Sequence, residues 1–329
     1  MGRPRIYIHR VGEWYPLHMD AANTARLRAF ADVVDAGPRT VVPTPEELAR
    51  DLAGVDGLLS LNGLGAAELT TEALRAAGTV RVAAIAHWWH SGHVQAAEMW
   101  RAAGVEVLDV SDATTAAVVE WVVGAMIVGT RRMDEFDRRL KGGDLWAEPG
   151  RRETRLLNES VVGLVGVGRV GRVVAERLAP FGPTLLGYDP YLDPTIAATA
   201  GVRLVPLEEL FRTSDIISLH LPVTAQTRGR IGAAELAWLR DEAILVNAGR
   251  AALLDREAFL AELRTGRFRA YLDVFDEEPL PLDDPLRTLE NVFLTPHIAG
   301  DTTGMFLHGT RLAIGALRRY FVAPAGMTT

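Results

Sequence analysis

No cysteine occurs anywhere in the chain, so disulfides, thiolate nucleophiles and cysteine metal ligands are excluded. That fits a reducing compartment, and a cytoplasmic protein is expected. Lysine is nearly as scarce: Lys141 stands alone beside Gly142 and Gly143, where a loop is expected, which argues against Schiff-base chemistry. Basic runs are missing too, as is any interleaving of aromatic with basic residues, and the formal net charge is -7. No nucleic-acid or membrane partner is expected, and a small-molecule ligand is favoured. The opening "MGRPRIYIHRVGEWYPLHMD" lacks the apolar core of a signal peptide. No apolar run reads as reaching the roughly 20 residues needed to span a bilayer.

What is present is apolar and patterned. Hydrophobic residues make up 48% of the 329 positions, a length beyond one ordinary core, so two domains are expected. Short β-branched runs recur: "RIYIH", "DGLLSL", "VRVAAIA" and "VEVLDV", then "VVGLVGVG", "TLLGYD", "DIISLHLP", "AILVNAG", "RAYLDVF" and "NVFLTPH". Ala/Leu/Arg-rich helical segments separate them. Continuous apolar strands with helices between predict parallel sheets covered on both faces, hence two α/β domains. After "VEVLDVSD", Ala113 to about Leu140 reads as one long helix joining the two, with Val118, Val119, Val122, Met126 and Val128 on it.

Gly166-Val167-Gly168-Arg169-Val170-Gly171 follows an apolar strand and opens an amphipathic helix. In that context Gly166 permits a tight turn, Gly168 lets backbone approach a pyrophosphate, and Gly171 allows close helix–sheet packing. The next strand ends in Asp189, 18 residues after Gly171, where a carboxylate accepts from an adenosine ribose. Asp189 would repel a 2'-phosphate, which favours NAD over NADP. Arg169 is a candidate pyrophosphate contact, or else a solvated arginine at a helix start.

Three later segments each place polar residues just after an apolar strand: Arg250 in "AILVNAGR", Asp273 and Glu278 in "YLDVFDEEP", and His297 in "NVFLTPHIAG". In an open parallel sheet such strand ends meet at the ligand crevice. Reducing a 2-oxo acid needs a cation for the carboxylate and carbonyl and a proton donor for the new alkoxide. Arginine suits the first role and histidine the second, with Glu278 fixing the ring. Singly these residues read as a surface cation, a loop acid and a capping histidine; their joint placement behind a dinucleotide turn favours catalysis.

From about Val161 to Gly300 the sequence resembles the NAD-dependent D-2-hydroxyacid dehydrogenases. The resemblance rests on "GLVGVGRVGRVVAERLAPFG", "GYDP", "SDIISLHLPVTAQTRGRIG", "ILVNAGRAALLD", "LDVFDEEPLP" and "LTPHIAG", in family order. It implies Arg250 as substrate-binding arginine, Glu278 as the acid paired with the catalytic histidine, and His297 as proton donor. It implies cofactor contacts from Asp273 at the nicotinamide carboxamide, from His220, Leu221, Pro222 and Thr227, from Asn247 and Ala248, and from Gly300. It also implies a fold of two doubly wound parallel-sheet domains: a Rossmann dinucleotide-binding domain over 111–300, and a smaller flavodoxin-like substrate domain from 1–110 with 301–329. A homodimer built on the central domain is implied as well.

The N-terminal third departs from the family. Where a glycine-rich turn ordinarily holds the substrate carboxylate, this chain has Trp89, His90 and Ser91 within "HWWHSGH"; the other substrate loop offers Leu61, Asn62 and Gly63. His87, His90 and His93 at spacing three raise a metal reading, but imidazoles without carboxylate or thiolate support are unusual. The tryptophans could simply pack. The favoured expectation is a substrate pocket, with no metal, for an aromatic acid or one bearing an extra anionic group. Rival functions are oxidation of another small anion, formate- or phosphite-like, and an NAD-sensing protein akin to the corepressors sharing this fold.

Overall fold

A computed structural model describes residues 2–9, 15–35, 41, 43–61, 69–86, 91–108, 110, 112–144 and 154–322, without the side chains of 91–96 and 112. The chain divides into two compact units, Met1–Thr114 with Thr302–Thr329, and Thr115–Asp301. The N-terminal unit carries β1 (Arg5–His9), β2 (Asp32–Asp35), β3 (Gly57–Ser60), β4 (Val82–Ile85) and β5 (Glu106–Leu108). They form a parallel sheet of order β2-β1-β3-β4-β5. The central unit carries β6 (Val161–Val165), β7 (Thr184–Tyr188), β8 (Arg203–Leu204), β9 (Ile216–Leu219), β10 (Ile244–Asn247), β11 (Arg269–Leu272) and β12 (Val292–Leu294). Their order is β12-β11-β10-β9-β6-β7-β8, again parallel throughout. The two doubly wound sheets expected from the sequence are present.

Helices cover both faces, which is why the strands are apolar without alternation: every residue of β3, β4, β9, β10 and β11 is buried. The helix Arg169–Leu178 shows the complementary period, burying Gly171, Val174, Ala175 and Leu178 at the spacing of one helical face. Each such Val or Leu contributes about 1.5–3 kcal/mol of burial. The strands that gave no clear signal in the sequence, β2 and β8, lie at sheet edges. "DVVD" is short and flanked by charge, and β8 has two residues, too little for a periodic pattern.

Two expectations are corrected. The long helix read over Ala113 to about Leu140 is two helices, Asp112–Arg131 and Met133–Lys141. Arg132 breaks it with φ 48°, and its guanidinium reaches Glu135 and Glu242. Those partners hold the left-handed conformation, whose cost no helix-forming pattern reveals. Second, Ala113–Arg131 is long and apolar enough to cross a membrane. Its Val119, Val122, Ala125 and Met126 are buried in the core of the central unit, with Val162, Ile244, Val246 and Tyr271. A core helix meets the same length and composition test.

His18 of the N-terminal unit is fully buried, its ring edge-on to Phe306 and its Nδ1 3.2 Å from Thr310 Oγ1, while Nε2 has no partner. Burial pushes its pKa down to about 4 from 6.5. Between those values the unfolded chain binds the proton more readily, so the stability is present above pH 6.5 and lost as pH falls toward 4. The expected loss is about 3 kcal/mol. The difference between wild type and His18→Gln in urea unfolding at about pH 7.5 and about pH 4 measures it, since His220 is shifted the same way and contributes to both; an unchanged pH slope in His18→Gln would refute the assignment.

Candidate active site

In the central unit the sheet order reverses at β6/β9, where an open parallel sheet binds its ligand beyond the strand carboxyl ends. The glycine turn lies there. Gly166 has φ 96°, and a Cβ on it would meet His220 O at 2.8 Å. A Cβ on Gly171 would lie 2.3 Å from Gly166 O, so the helix start packs directly on the turn. Gly168 caps the helix, Arg169 begins it, and Val170 packs against the core. Asp189, after β7, accepts from Val167 N–H at 3.1 Å and Tyr191 N–H at 3.1 Å. The carboxylate expected to meet a ribose is thus tied to the turn expected to hold the phosphates.

After β9, the His220 ring lies under Gly171, with its Nε2 sealed from solvent and unpartnered, and burial drives its pKa down to about 4. A neutral imidazole with an unpartnered ring nitrogen, and the open space beside Gly168, where a Cβ would meet nothing within 4 Å, both fit a dinucleotide there. Leu221 packs into the core, and Pro222 O accepts from the Thr227 hydroxyl at 2.6 Å. That bond closes the 222–227 turn.

Beyond β10, Asn247 is fully buried and Ala248 half-buried, while Arg250 is exposed. Arg250 Nη1 donates to Gly249 O at 2.7 Å, and among the described residues it has no carboxylate partner. A guanidinium with no ion pair is suited to an incoming anion.

His297 follows β12, and its Nδ1 lies 2.7 Å from Glu278 Oε2. Since a carboxylate only accepts, Nδ1 carries the hydrogen of this bond. The acid is held in turn: Glu278 Oε1 accepts from Phe275 N–H at 2.9 Å. His297 has φ 56°, a backbone state that persists only when its surroundings enforce it. Asp273, fully buried after β11, supplies that enforcement. Its carboxylate accepts from the Thr295 hydroxyl, from Ile298 N–H at 2.8 Å and from Ala299 N–H at 2.7 Å. Burial raises the Asp273 pKa against the pull of those donors. Asp273, expected at the nicotinamide, therefore grips the histidine loop up to the residue before Gly300. The sequence gives no hint of Thr295 and Phe275, because a strand-end threonine and a backbone N–H carry no signal of their partners.

In the N-terminal unit Leu61 is fully buried directly after β3, and Ser91 begins the helix Ser91–Ala102. Asn62, Gly63, His87, Trp88, Trp89 and His90, and the side chains of Ser91 and His93, lie outside the described residues. A buried pair at the β1 and β3 ends, His9 Nδ1 and Ser60 Oγ, 3.3 Å apart, is also absent from the sequence-based expectations.

Residues 123–299, more than half the chain, match the family profile described as D-isomer specific 2-hydroxyacid dehydrogenase, NAD binding domain. The chain is also 31% identical over 307 residues to glyoxylate reductase of Thermofilum pendens, covering 92% of this chain and 87% of that one. The chain belongs to the D-isomer specific 2-hydroxyacid dehydrogenases. Within the family it is 38% identical over 201 residues to D-3-phosphoglycerate dehydrogenase of Methanocaldococcus jannaschii, which is 60% of this chain but only 38% of that protein's length. In fold it matches apo D-mandelate dehydrogenase of Rhodotorula graminis with TM-score 0.79 at 22% identity, over 100% of this chain and 99% of that one. The cofactor of the family domain is NAD.

Proposed function

We propose that the protein interconverts a 2-oxo acid and a D-2-hydroxy acid with NAD(H). The observation that carries this reading is the 2.7 Å His297–Glu278 pair at the ends of strands in the sheet that bears the glycine turn. NAD(H), when bound, supplies or accepts the hydride. Gly166, Gly168, Arg169 and Gly171 would hold its pyrophosphate and Asp189 its ribose. Arg250 binds the substrate carboxylate and polarises the carbonyl by its planar fork of donors. His297 gives its proton to the alkoxide oxygen on reduction and takes it back on oxidation, with Glu278 orienting the ring and balancing the imidazolium charge.

Trp89 and His90 support an acid with an aromatic side chain or a second anionic group. The family resemblance supports pairing with a second copy, while Val118, Trp121, Val123 and Ile127 of the helix Asp112–Arg131 are half-buried against the unit's own core.

The test is an NADH-oxidation screen over phenylpyruvate, indolepyruvate, phosphonopyruvate, hydroxypyruvate, pyruvate and glyoxylate, repeated with NADPH. Turnover of at least one acid is expected, with NADH preferred because Asp189 disfavours the 2'-phosphate. Tight NADH binding without turnover of any acid would favour a sensing protein instead.

A further inference from the structure

Two fully buried polar side chains stand side by side at neighbouring strand ends, Asn247 closing β10 and Asp273 following β11. Asp273 N–H donates to Asn247 O at 3.1 Å. Asp273 is engaged by the histidine loop, as described above. Asn247 folds back along its own chain: its Oδ1 accepts from Gly249 N–H at 3.1 Å, and its Nδ2 donates to Arg250 O at 3.0 Å. Both ends of the amide are thus committed within three residues, and none of its surface is exposed.

The turn so closed passes in ordinary van der Waals contact with its neighbours. A Cβ on Gly249 would lie 3.4 Å from Leu219 O and 3.6 Å from Asn247 Oδ1, so the backbone runs close past the end of the adjacent strand. Arg250 leaves it extended, with φ -146° and ψ 135°, and caps the short turn Ala251–Leu253. A guanidinium on a long flexible stem is aimed only as well as its backbone is fixed. From this geometry we infer that Asn247 is a positioning residue for Arg250: it sets where the guanidinium meets the substrate anion, and does not itself contact the cofactor. The inference rests on the role of Arg250 proposed above.

The test is a double-mutant cycle. Asn247→Ala is made in the wild-type and Arg250→Ala backgrounds, together with Asn247→Asp, which keeps the acceptor for Gly249 and loses the donor to Arg250. Measurements are kcat/KM for an oxo acid that the wild type reduces, NADH affinity by nucleotide fluorescence, and melting temperature. In the wild type, Asn247→Ala is expected to lower kcat/KM by about 10- to 100-fold, the scale of a small misplacement of a binding group, with NADH affinity unchanged. In the Arg250→Ala background the same change is expected to cost little, because the side chain it acts through is gone. Equal losses in both backgrounds, or weakened NADH binding, would overturn the positioning role alone. An Arg250→Ala enzyme as active as wild type would overturn the role of Arg250 and the positioning role with it. If Asn247→Ala does not fold, Asn247→Asp decides by the same criteria.

Discussion

His297→Ala is expected to lower kcat for the oxo acid by about 10²- to 10⁴-fold, the usual contribution of a positioned proton donor, with NADH affinity unchanged. The size follows from how much of the unit serves this one ring. Glu278 fixes Nδ1 at 2.7 Å, Phe275 N–H fixes Glu278, and Asp273 fixes the backbone on the far side of the histidine through Ile298 and Ala299. Alanine keeps the left-handed strain at position 297, since it too carries a Cβ, so no gain in stability is expected from its relief. Glu278→Gln removes orientation together with charge: with its one oxygen accepting from Phe275 N–H it turns an NH2 donor toward the Nδ1–H of His297, and it no longer balances an imidazolium, so kcat is expected to fall here as well, with NADH affinity unchanged. Steady-state kinetics with a stopped-flow measurement of the first turnover checks both variants. A His297→Ala enzyme reducing its substrate at the wild-type rate would sink the proton-donor assignment.

Arg250→Ala carries the second large effect, a fall in kcat/KM of about 10²- to 10³-fold, the scale for removing a donor that faces developing charge. Arg250 lacks an ion-pair partner among the described residues, and its guanidinium donates to Gly249 O. Removing it therefore releases no buried carboxylate, and thermal stability is expected to stay near wild type. Arg250→Lys restores the charge but not the planar fork, so partial recovery is expected. Full recovery by lysine would mean that a point charge suffices and that bidentate recognition is not used. The pH series with His18→Gln is independent of both, because His18 belongs to the other unit.

Much of the candidate site is legible in the amino-acid order. The glycine turn, its acid and the polar residues after apolar strands each lie within a short window, and their chemistry depends on local backbone demands: a positive φ at Gly166 and contact too close for a Cβ at Gly171. The same locality limits what can be read. The break at Arg132 depends on Glu242, more than a hundred positions away, and Asp273 finds its donors at Thr295, Ile298 and Ala299. The family resemblance implies Asn247 and Asp273 as cofactor contacts; nothing in the sequence says which way a buried amide or carboxylate is satisfied.

By itself the sequence determined the class of fold, the dinucleotide turn and the candidate trio of Arg250, Glu278 and His297, because periodicity and turn chemistry are properties of neighbouring residues. Only the tertiary structure decided what holds those residues in place. A buried polar group must find partners wherever the packed sheet brings them, and here the sheet brings the loop after β12 onto the end of β11, so that Asp273 secures the histidine that Glu278 orients.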